Sequence, residues 1–226
     1  MSKESFSAEL NAWFTHIANE VSGMALRRSL NLLDTVQSAA LTQDLSFHPL
    51  VATLGGIALD DPETSNFHLY LTRSPLSGGI FYLSHDGDSR LVFPSVDTLL
   101  AAAREASLDH LSLDELHPPS APLAQDQAAL EQFIASLLDA GEDDDLAVII
   151  ALIPSLALAD LPLLERLATH EDFFVAEALA DAITERPAAG LRDLAERCSR
   201  HPHPQAAQAG ARALAAVDNA LPRPIE

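Results

Sequence analysis

The sequence has very little cysteine for its length. It contains one cysteine, Cys198, in 226 residues, so no disulfide can form within the chain. A chain without disulfides fits a reducing compartment, although a secreted protein that lacks them would have the same composition. Apolar residues make up 48% of the sequence, which is enough to form a core and argues against disorder of the whole chain.

The sequence also lacks segments that direct a chain into or across a membrane. Residues 1–7 contain no basic segment followed by an apolar run, so we expect no signal peptide. The longest apolar run, Leu146 to Pro154, is far shorter than the roughly 20 residues that a membrane-spanning helix needs. These absences predict a cytoplasmic protein, unless a signal-independent system exports it.

Positive charge is scarce as well. Lys3 is the only lysine, the formal net charge is −20, and no Lys or Arg occurs between Glu105 and Glu165. Such a surface repels phosphate backbones and anionic lipids, so we expect neither nucleic acid nor membrane as a partner. A basic protein would be attracted to it. The alternative explanation is that the acidic residues serve solubility alone.

An N-terminal segment, residues 6–43, predicts two helices with a break near Ser22-Gly23. Apolar residues recur at helical spacing in both parts, from Leu10 to Val21 and from Leu26 to Val36. The helical period then disappears, and a short strand is expected at Leu50–Leu54.

A small antiparallel sheet is predicted next. Residues 67–72 alternate, which indicates a half-buried strand with His68, Tyr70 and Thr72 on one face. Asp86-Gly87 is typical of a tight turn between two strands, and Ser95 is expected to cap a helix that covers the sheet. The three predicted strands begin at Phe67, Ile80 and Arg90.

The remaining sequence predicts a linker and a helical region. Prolines at 118, 119 and 122 indicate a linker over 111–122, between an α+β module at 1–110 and an all-helical region at 123–220. A weak repeat favours HEAT-like helical hairpins, and an ordinary helical bundle is the alternative. In that repeat Leu164, Leu167 and Ala168 recur as Leu191, Leu194 and Ala195, and Ala176, Ala178 and Leu179 recur as Ala211, Ala213 and Leu214.

Two segments, 57–71 and 78–93, together with the helix that follows Ser95, resemble the SUKH superfamily. The resemblance is carried by the stretch Phe81-Tyr-Leu-Ser-His-Asp86, by the strands around it and by the capped helix with its acidic residue. It covers about residues 50–106 and contains no catalytic signature. The resemblance implies an α+β immunity or regulatory module, since bacterial members of that family commonly neutralise toxins, many of which are basic and act on nucleic acids.

No catalytic motif is present: the sequence contains no Gly-x-Ser-x-Gly elbow, phosphate loop or His-Glu-x-x-His helix. His85, Asp86 and Asp88 fit turn chemistry better than a metal or acid–base cluster. His201 and His203 are expected in a solvated loop rather than at a metal. Cys198, near three basic residues, is either a reactive thiol or a buried helix residue. We therefore expect neither an enzyme nor a cofactor or metal site.

These observations lead to a first hypothesis, an immunity protein that blocks the active site or substrate groove of a cognate basic toxin. Its alternative is a non-enzymatic scaffold whose helical face binds a cellular protein, and an unidentified hydrolase is a third. The sequence favours exposed acids as contacts with the partner, namely Asp114, Glu115, Glu142, Asp143, Asp144 and Asp145.

Overall fold

The computed structural model describes residues 7–19, 21–61, 63–85 and 87–220. They form an α+β fold with a small antiparallel sheet and a helical C-terminal region, which confirms the predicted fold class. Contacts divide the chain into two compact units, residues 1–130 and residues 131–226.

The first unit contains a helical N-terminal part and the sheet. Its helices are α1 (Ala8–Asn19), α2 (Val21–Ser29), α3 (Thr35–Asp44), α4 (Pro49–Leu54) and α5 (Val96–Asp109). Its strands are β1 (Gly56–Ala58), β2 (Phe67–Leu71), β3 (Ile80–Leu83) and β4 (Arg90–Phe93), and a short 3-10 helix spans Asp114–Leu116.

The second unit is helical throughout its described part. Helix α6 (Gln127–Ala140) begins in the first unit and continues into the second. It is followed by α7 (Asp143–Leu152), α8 (Leu161–Ala168), α9 (Phe173–Glu185), α10 (Arg192–Ser199) and α11 (Pro204–Ala220). Short 3-10 helices span Ile153–Ser155 and Ala189–Leu191.

The N-terminal segment forms three helices rather than the predicted two. The predicted second helix, Leu26–Val36, ends at Ser29 because Asn31 takes a positive φ of 52°, which a right-handed helix cannot contain. The break predicted near Ser22-Gly23 lies a few residues earlier, since α1 ends at Asn19 and α2 begins at Val21. The side chain of Val21 and the whole of Lys3 lie outside the described residues.

Helix α3 begins with a capping box. The Asp34 carboxylate accepts hydrogen bonds from the backbone N–H groups of Val36 and Gln37, and the Gln37 side chain accepts from the Asp34 N–H. Val36, which the helical pattern places in the core, is 79% exposed in the first turn of this new helix.

Helix α4 occupies the position where a short strand is expected, so the prediction for Leu50–Leu54 is wrong. His48 accepts a hydrogen bond from the Leu50 N–H through Nδ1, and Pro49 fits the first turn because its missing N–H is not needed there. Gly55 ends the helix with a φ of 65°. A short, mostly apolar run such as residues 50–54 fits a strand or a helix, and the capping residues decide between them.

The sheet is a four-stranded antiparallel meander in the order β1-β2-β3-β4. The three predicted strands are present, and Ser95 caps α5 by accepting a hydrogen bond from the Thr98 N–H. Strand β1, at the edge, was not predicted. Gly87 has a φ of 93°, as a turn glycine often does, and Asp86 lies outside the described residues.

Both faces of β2 are buried, so the half-buried strand predicted from its alternation is wrong. Leu69 and Leu71 are at most 1% exposed, while His68 and Tyr70 on the opposite face are 2% and 3% exposed. Helices α1, α2 and α5 contribute to the core around Tyr70. Because His68 is polar and buried, it needs hydrogen-bonding partners within the protein.

The proline-rich segment 111–122, which the sequence analysis assigns to a linker, belongs to the first unit. Leu113 and Ala121 are 6% and 7% exposed, and the Pro118 carbonyl accepts a hydrogen bond of 2.9 Å from Arg90 of β4. Proline limits the regular structure of this segment, but its apolar residues still pack on the unit.

The second unit contains two helical hairpins, α8–α9 and α10–α11. Helix α9 packs along α11, and α8 packs against α10, so equivalent helices of the two hairpins are neighbours. This pairing fits the HEAT-like pattern of the weak repeat, whose residues at 164, 167 and 168 and at 191, 194 and 195 are all buried. The second half of the repeat is matched less well, because Ala211 is exposed. None of the helices in the described ranges is long and apolar enough to cross a membrane.

Candidate functional site

The predicted contact residues of the first unit lie in and beside the short 3-10 helix that follows α5. Asp114 and Glu115 are both exposed. Glu115 Oε2 accepts hydrogen bonds from the Ser112 N–H at 2.8 Å and from Ser112 Oγ at 2.9 Å, which fixes its direction. Asp114 is therefore the acid of this pair whose carboxylate is the more available to a partner.

The predicted contact residues of the second unit lie at the start of α7. Glu142 is the N-cap residue, and Asp143, Asp144 and Asp145 form the first turn. Glu142, Asp143 and Asp144 are exposed, and Asp145 is half-buried. The partial positive charge of the helix N-terminus stabilises these carboxylates, as the sequence predicts. We call Glu142 to Asp145 the α7 acidic turn.

Most arginines of the chain are engaged by other residues of their own unit. Arg73 and Arg186 donate to backbone carbonyls, and the acids paired with other arginines lie outside the predicted contact set. Among the described residues, these ion pairs are Arg27–Asp34, Arg90–Asp88, Arg166–Asp139, Arg192–Glu196, Arg192–Asp218, Arg197–Glu165, Arg200–Glu196 and Arg212–Asp181. Within the described ranges, no ion pair involves Asp114, Glu115 or the α7 acidic turn, so both groups keep their negative charge.

Three side chains of the first unit form a network that the sequence did not predict, with Asp60 and His68 buried and His117 half-buried. Asp60, 1% exposed, accepts hydrogen bonds from the His68 backbone N–H at 2.7 Å and from His68 Nδ1 at 2.6 Å. His68 Nε2 lies 2.7 Å from Nε2 of His117, which follows the 3-10 helix. The carboxylate holds Nδ1 of His68 protonated and leaves its Nε2 to share one proton with His117.

The surroundings of His117 disfavour its charged form. Burial lowers the pKa of His117 to about 3, and the charges of His68 and Arg90 act in the same direction, while Asp114 opposes them. Its ring packs edge-on against Tyr82, with centroids 4.6 Å apart, and against Phe93, with centroids 5.7 Å apart. His117 is therefore a neutral partner of His68 near pH 7.

No family model, curated protein or solved structure matches this chain. The resemblance to the SUKH superfamily therefore depends only on the residues that carry it, which lie on β1 to β4 and on α5.

The Asp60–His68–His117 network has the hydrogen-bond order of a catalytic relay. Two cavities, of about 570 and 440 Å³, are lined by residues outside this network. In the described part of the chain, no group of three or more His, Cys, Asp or Glu side chains is placed to hold a metal ion. The network fastens the segment around His117 to the sheet.

Only the Asp60–His68 pair of this network could have been suggested by the sequence. Asp60 and His68 lie on either side of the turn into β2, which would have allowed a pairing to be considered. His117 is 49 residues beyond His68, in a segment whose composition indicates a linker, so no local pattern connects them. The turn residues His85 and Asp88 are exposed and do not join the network.

The cavity of about 570 Å³ lies in the second unit at the connections between helices α8 and α9 and between α10 and α11. His201 lines it and donates a hydrogen bond to the His170 carbonyl at 3.1 Å. His203 stacks on Phe173, with ring centroids 3.6 Å apart. His201 and His203 lie in the loop between α10 and α11, as expected, but both are half-buried there and pack against the connection between α8 and α9.

Cys198 is expected to resist modification in the native protein. Its side chain is 0% exposed, and burial raises the pKa of the thiol to about 11, so the thiolate is scarce at neutral pH. A thiol reagent such as iodoacetamide should label it only after denaturation, as mass spectrometry would show. Rapid labelling of the folded protein at pH 7.5 would contradict this, and it would favour the reactive-thiol interpretation of the sequence.

Proposed function

We propose that this chain is a non-enzymatic binding protein whose partner is a basic protein, and that it acts as an immunity protein by blocking a toxin. The observation that carries the proposal is the α7 acidic turn, where four neighbouring acids are left without an arginine partner among the described residues. Asp114 offers a further negative charge on the first unit. A cationic surface would be drawn to such groups and oriented by them.

The resemblance to SUKH proteins supports the immunity role within this proposal. It covers the sheet and α5, which also form the framework beneath the segment that bears Asp114 and Glu115. Toxins that act on nucleic acids need a basic groove for their substrate. An acidic protein that occupies such a groove competes with the phosphate backbone and stops the reaction without any chemistry of its own.

A cellular scaffold is the second candidate, and the helical hairpins of the second unit favour it. Stacked helical pairs offer extended faces to protein partners, and here they also enclose the cavity beside His201. The two candidates differ in the identity of the partner, since a scaffold would bind a protein that does not harm the cell.

Charge reversal at the α7 acidic turn tests where the partner binds. Replacing Asp143, Asp144 and Asp145 together with lysine should slow association with a verified basic partner by about 10- to 100-fold at low salt. The effect should shrink as salt is raised, because ions screen the attraction. Association rates from surface plasmon resonance at several salt concentrations provide the measurement.

A matched control separates a local contact from a change in net charge. Lysines at Asp97, Glu105 and Asp109, all exposed on α5, change the charge by the same amount. We expect this variant to bind several-fold faster than the α7 variant at the same salt concentration. Equal rates for the two variants would mean that only the overall charge matters, and would remove the α7 acidic turn from the interface.

A further inference from the structure

The segment that carries His117 is fastened to the sheet at two places. His117 Nε2 lies 2.7 Å from His68 Nε2 of β2, and the next residue, Pro118, accepts the hydrogen bond from Arg90 of β4. The segment also packs through apolar side chains, with Leu113 buried in the core and Leu111 and Leu116 against it. Its 3-10 turn is closed by hydrogen bonds from Leu116 N–H to the Leu113 carbonyl and from His117 N–H to the Asp114 carbonyl.

We propose that the Asp60–His68–His117 network is a pH-sensitive latch, which holds segment 111–122 on the sheet and releases it when both imidazoles become protonated. The two Nε2 atoms lie 2.7 Å apart, which leaves room for a single proton between them. If both rings carry a full set of protons, two N–H groups point at each other and the hydrogen bond is lost.

The first added proton does not open the latch. Asp60 already accepts from Nδ1 of His68, so one extra proton makes an imidazolium that faces a carboxylate on one side and a neutral imidazole on the other. A second proton, on Nε2 of His117, would face the N–H of His68 and would have no acceptor there. The charged and titratable groups around His117 are His68 from β2, Tyr82 from β3, Arg90 from β4 and Asp114 from its own turn.

The balance of these groups favours opening in acid. Arg90 and protonated His68 repel a positive charge on His117, whereas the exposed Asp114 attracts that charge only partly. Tyr82 is neutral in acid, because its pKa is raised. The pKa of His117 is lowered to about 3 in the closed state and returns towards its ordinary value of about 6.5 when the segment is free. The open form therefore binds one more proton than the closed form between these two values, and acid shifts the equilibrium towards it.

Amide hydrogen exchange on the full chain tests the latch. After correction for the intrinsic exchange rate at each pH, protection of the Leu116 and His117 amides should fall by about 20-fold between pH 7 and pH 5. The Leu59 and Leu71 amides, which donate to carbonyls of the sheet region, should keep their protection. Unchanged protection at Leu116 and His117 would overturn the proposal, as would parallel loss at the sheet amides, which would indicate general unfolding.

A substitution at His117 tests whether this residue causes the fall in amide protection. In His117→Gln, the side-chain amide can donate to or accept from His68 but cannot become charged, so the fall in protection should shrink to less than 3-fold. The control His110→Asn removes an exposed histidine at the end of α5, where asparagine tolerates the positive φ of 56°, and it should keep the full response. If His117→Gln showed the same fall in protection as the wild type, the latch would be contradicted. If that variant does not fold, the pH series on the wild type alone decides whether the latch exists.

Release of the segment would also move Asp114 and Glu115, which lie on it. A pH-dependent loss of partner binding at these acids is a consequence that rests on the proposed function. The exchange experiment contains no partner, so its outcome does not depend on whether a toxin is bound at all.

Discussion

Replacing Asp60 with alanine is expected to destabilise the first unit by about 3 to 5 kcal/mol. The carboxylate is 1% exposed and accepts two hydrogen bonds from His68, one from the backbone and one from the ring. Without it, the backbone N–H of His68 and the N–H of its ring lose their buried acceptor. Burial of a polar network of this kind makes the loss of one member costly.

The chain offers a reporter and a matched control for this experiment. Trp13, the only tryptophan, is 2% exposed in the core of the first unit, so its fluorescence during urea unfolding follows that unit. The neighbouring Asp61 is exposed, and Asp61→Ala should cost less than about 1 kcal/mol. If Asp60→Ala cost no more than Asp61→Ala, the network would not be a stabilising element.

Replacing Gly210 with alanine is expected to destabilise the second unit by about 3 kcal/mol or more. A methyl group at this position would overlap backbone atoms of Cys198 and Ser199, and backbone cannot rotate aside as the end of a flexible side chain can. Small residues along the buried face of α11 allow the close approach of α9 and α10. The members of this face are Ala206, Ala209, Gly210, Ala213 and Val217.

Far-UV circular dichroism during thermal unfolding measures this loss, because the second unit is helical. Gly190→Ala is the control, since a methyl group there would meet no atom within 4 Å. We expect that control to change the stability by no more than about 0.5 kcal/mol. Equal melting curves for Gly210→Ala and the wild type would show that α10 and α11 can separate at little cost.

The elements that could be predicted are those whose apolar pattern and whose turn or capping residues indicate the same structure. Strands β2 to β4 follow from alternation and from a tight turn, and α5 follows from Ser95 at its N-cap. Helix α4 does not follow from its short, mostly apolar run, which fits a strand equally well, although Pro49 and Gly55 mark its two ends. Asn31 was missed for a similar reason, since a continuous apolar period hid a residue that prefers a positive φ.

The buried network could not be predicted from the sequence, for physical reasons. Alternation along β2 shows which residues share a face, but it does not show that both faces will be covered, so it predicts a half-buried strand. Its partner His117 comes from a segment whose prolines indicate a linker. The acidic residues predicted as partner contacts follow from charge alone, and among the described residues the arginine ion pairs do not include them.

The most direct test of the binding proposal is co-expression of this chain with the product of the gene beside its own, followed by co-purification. The account predicts that the neighbouring product is basic and toxic alone, that growth is restored when both are made, and that the two proteins form a complex that high salt weakens. A harmless neighbour that forms no complex, with an acidic or housekeeping protein bound instead, would contradict the immunity role.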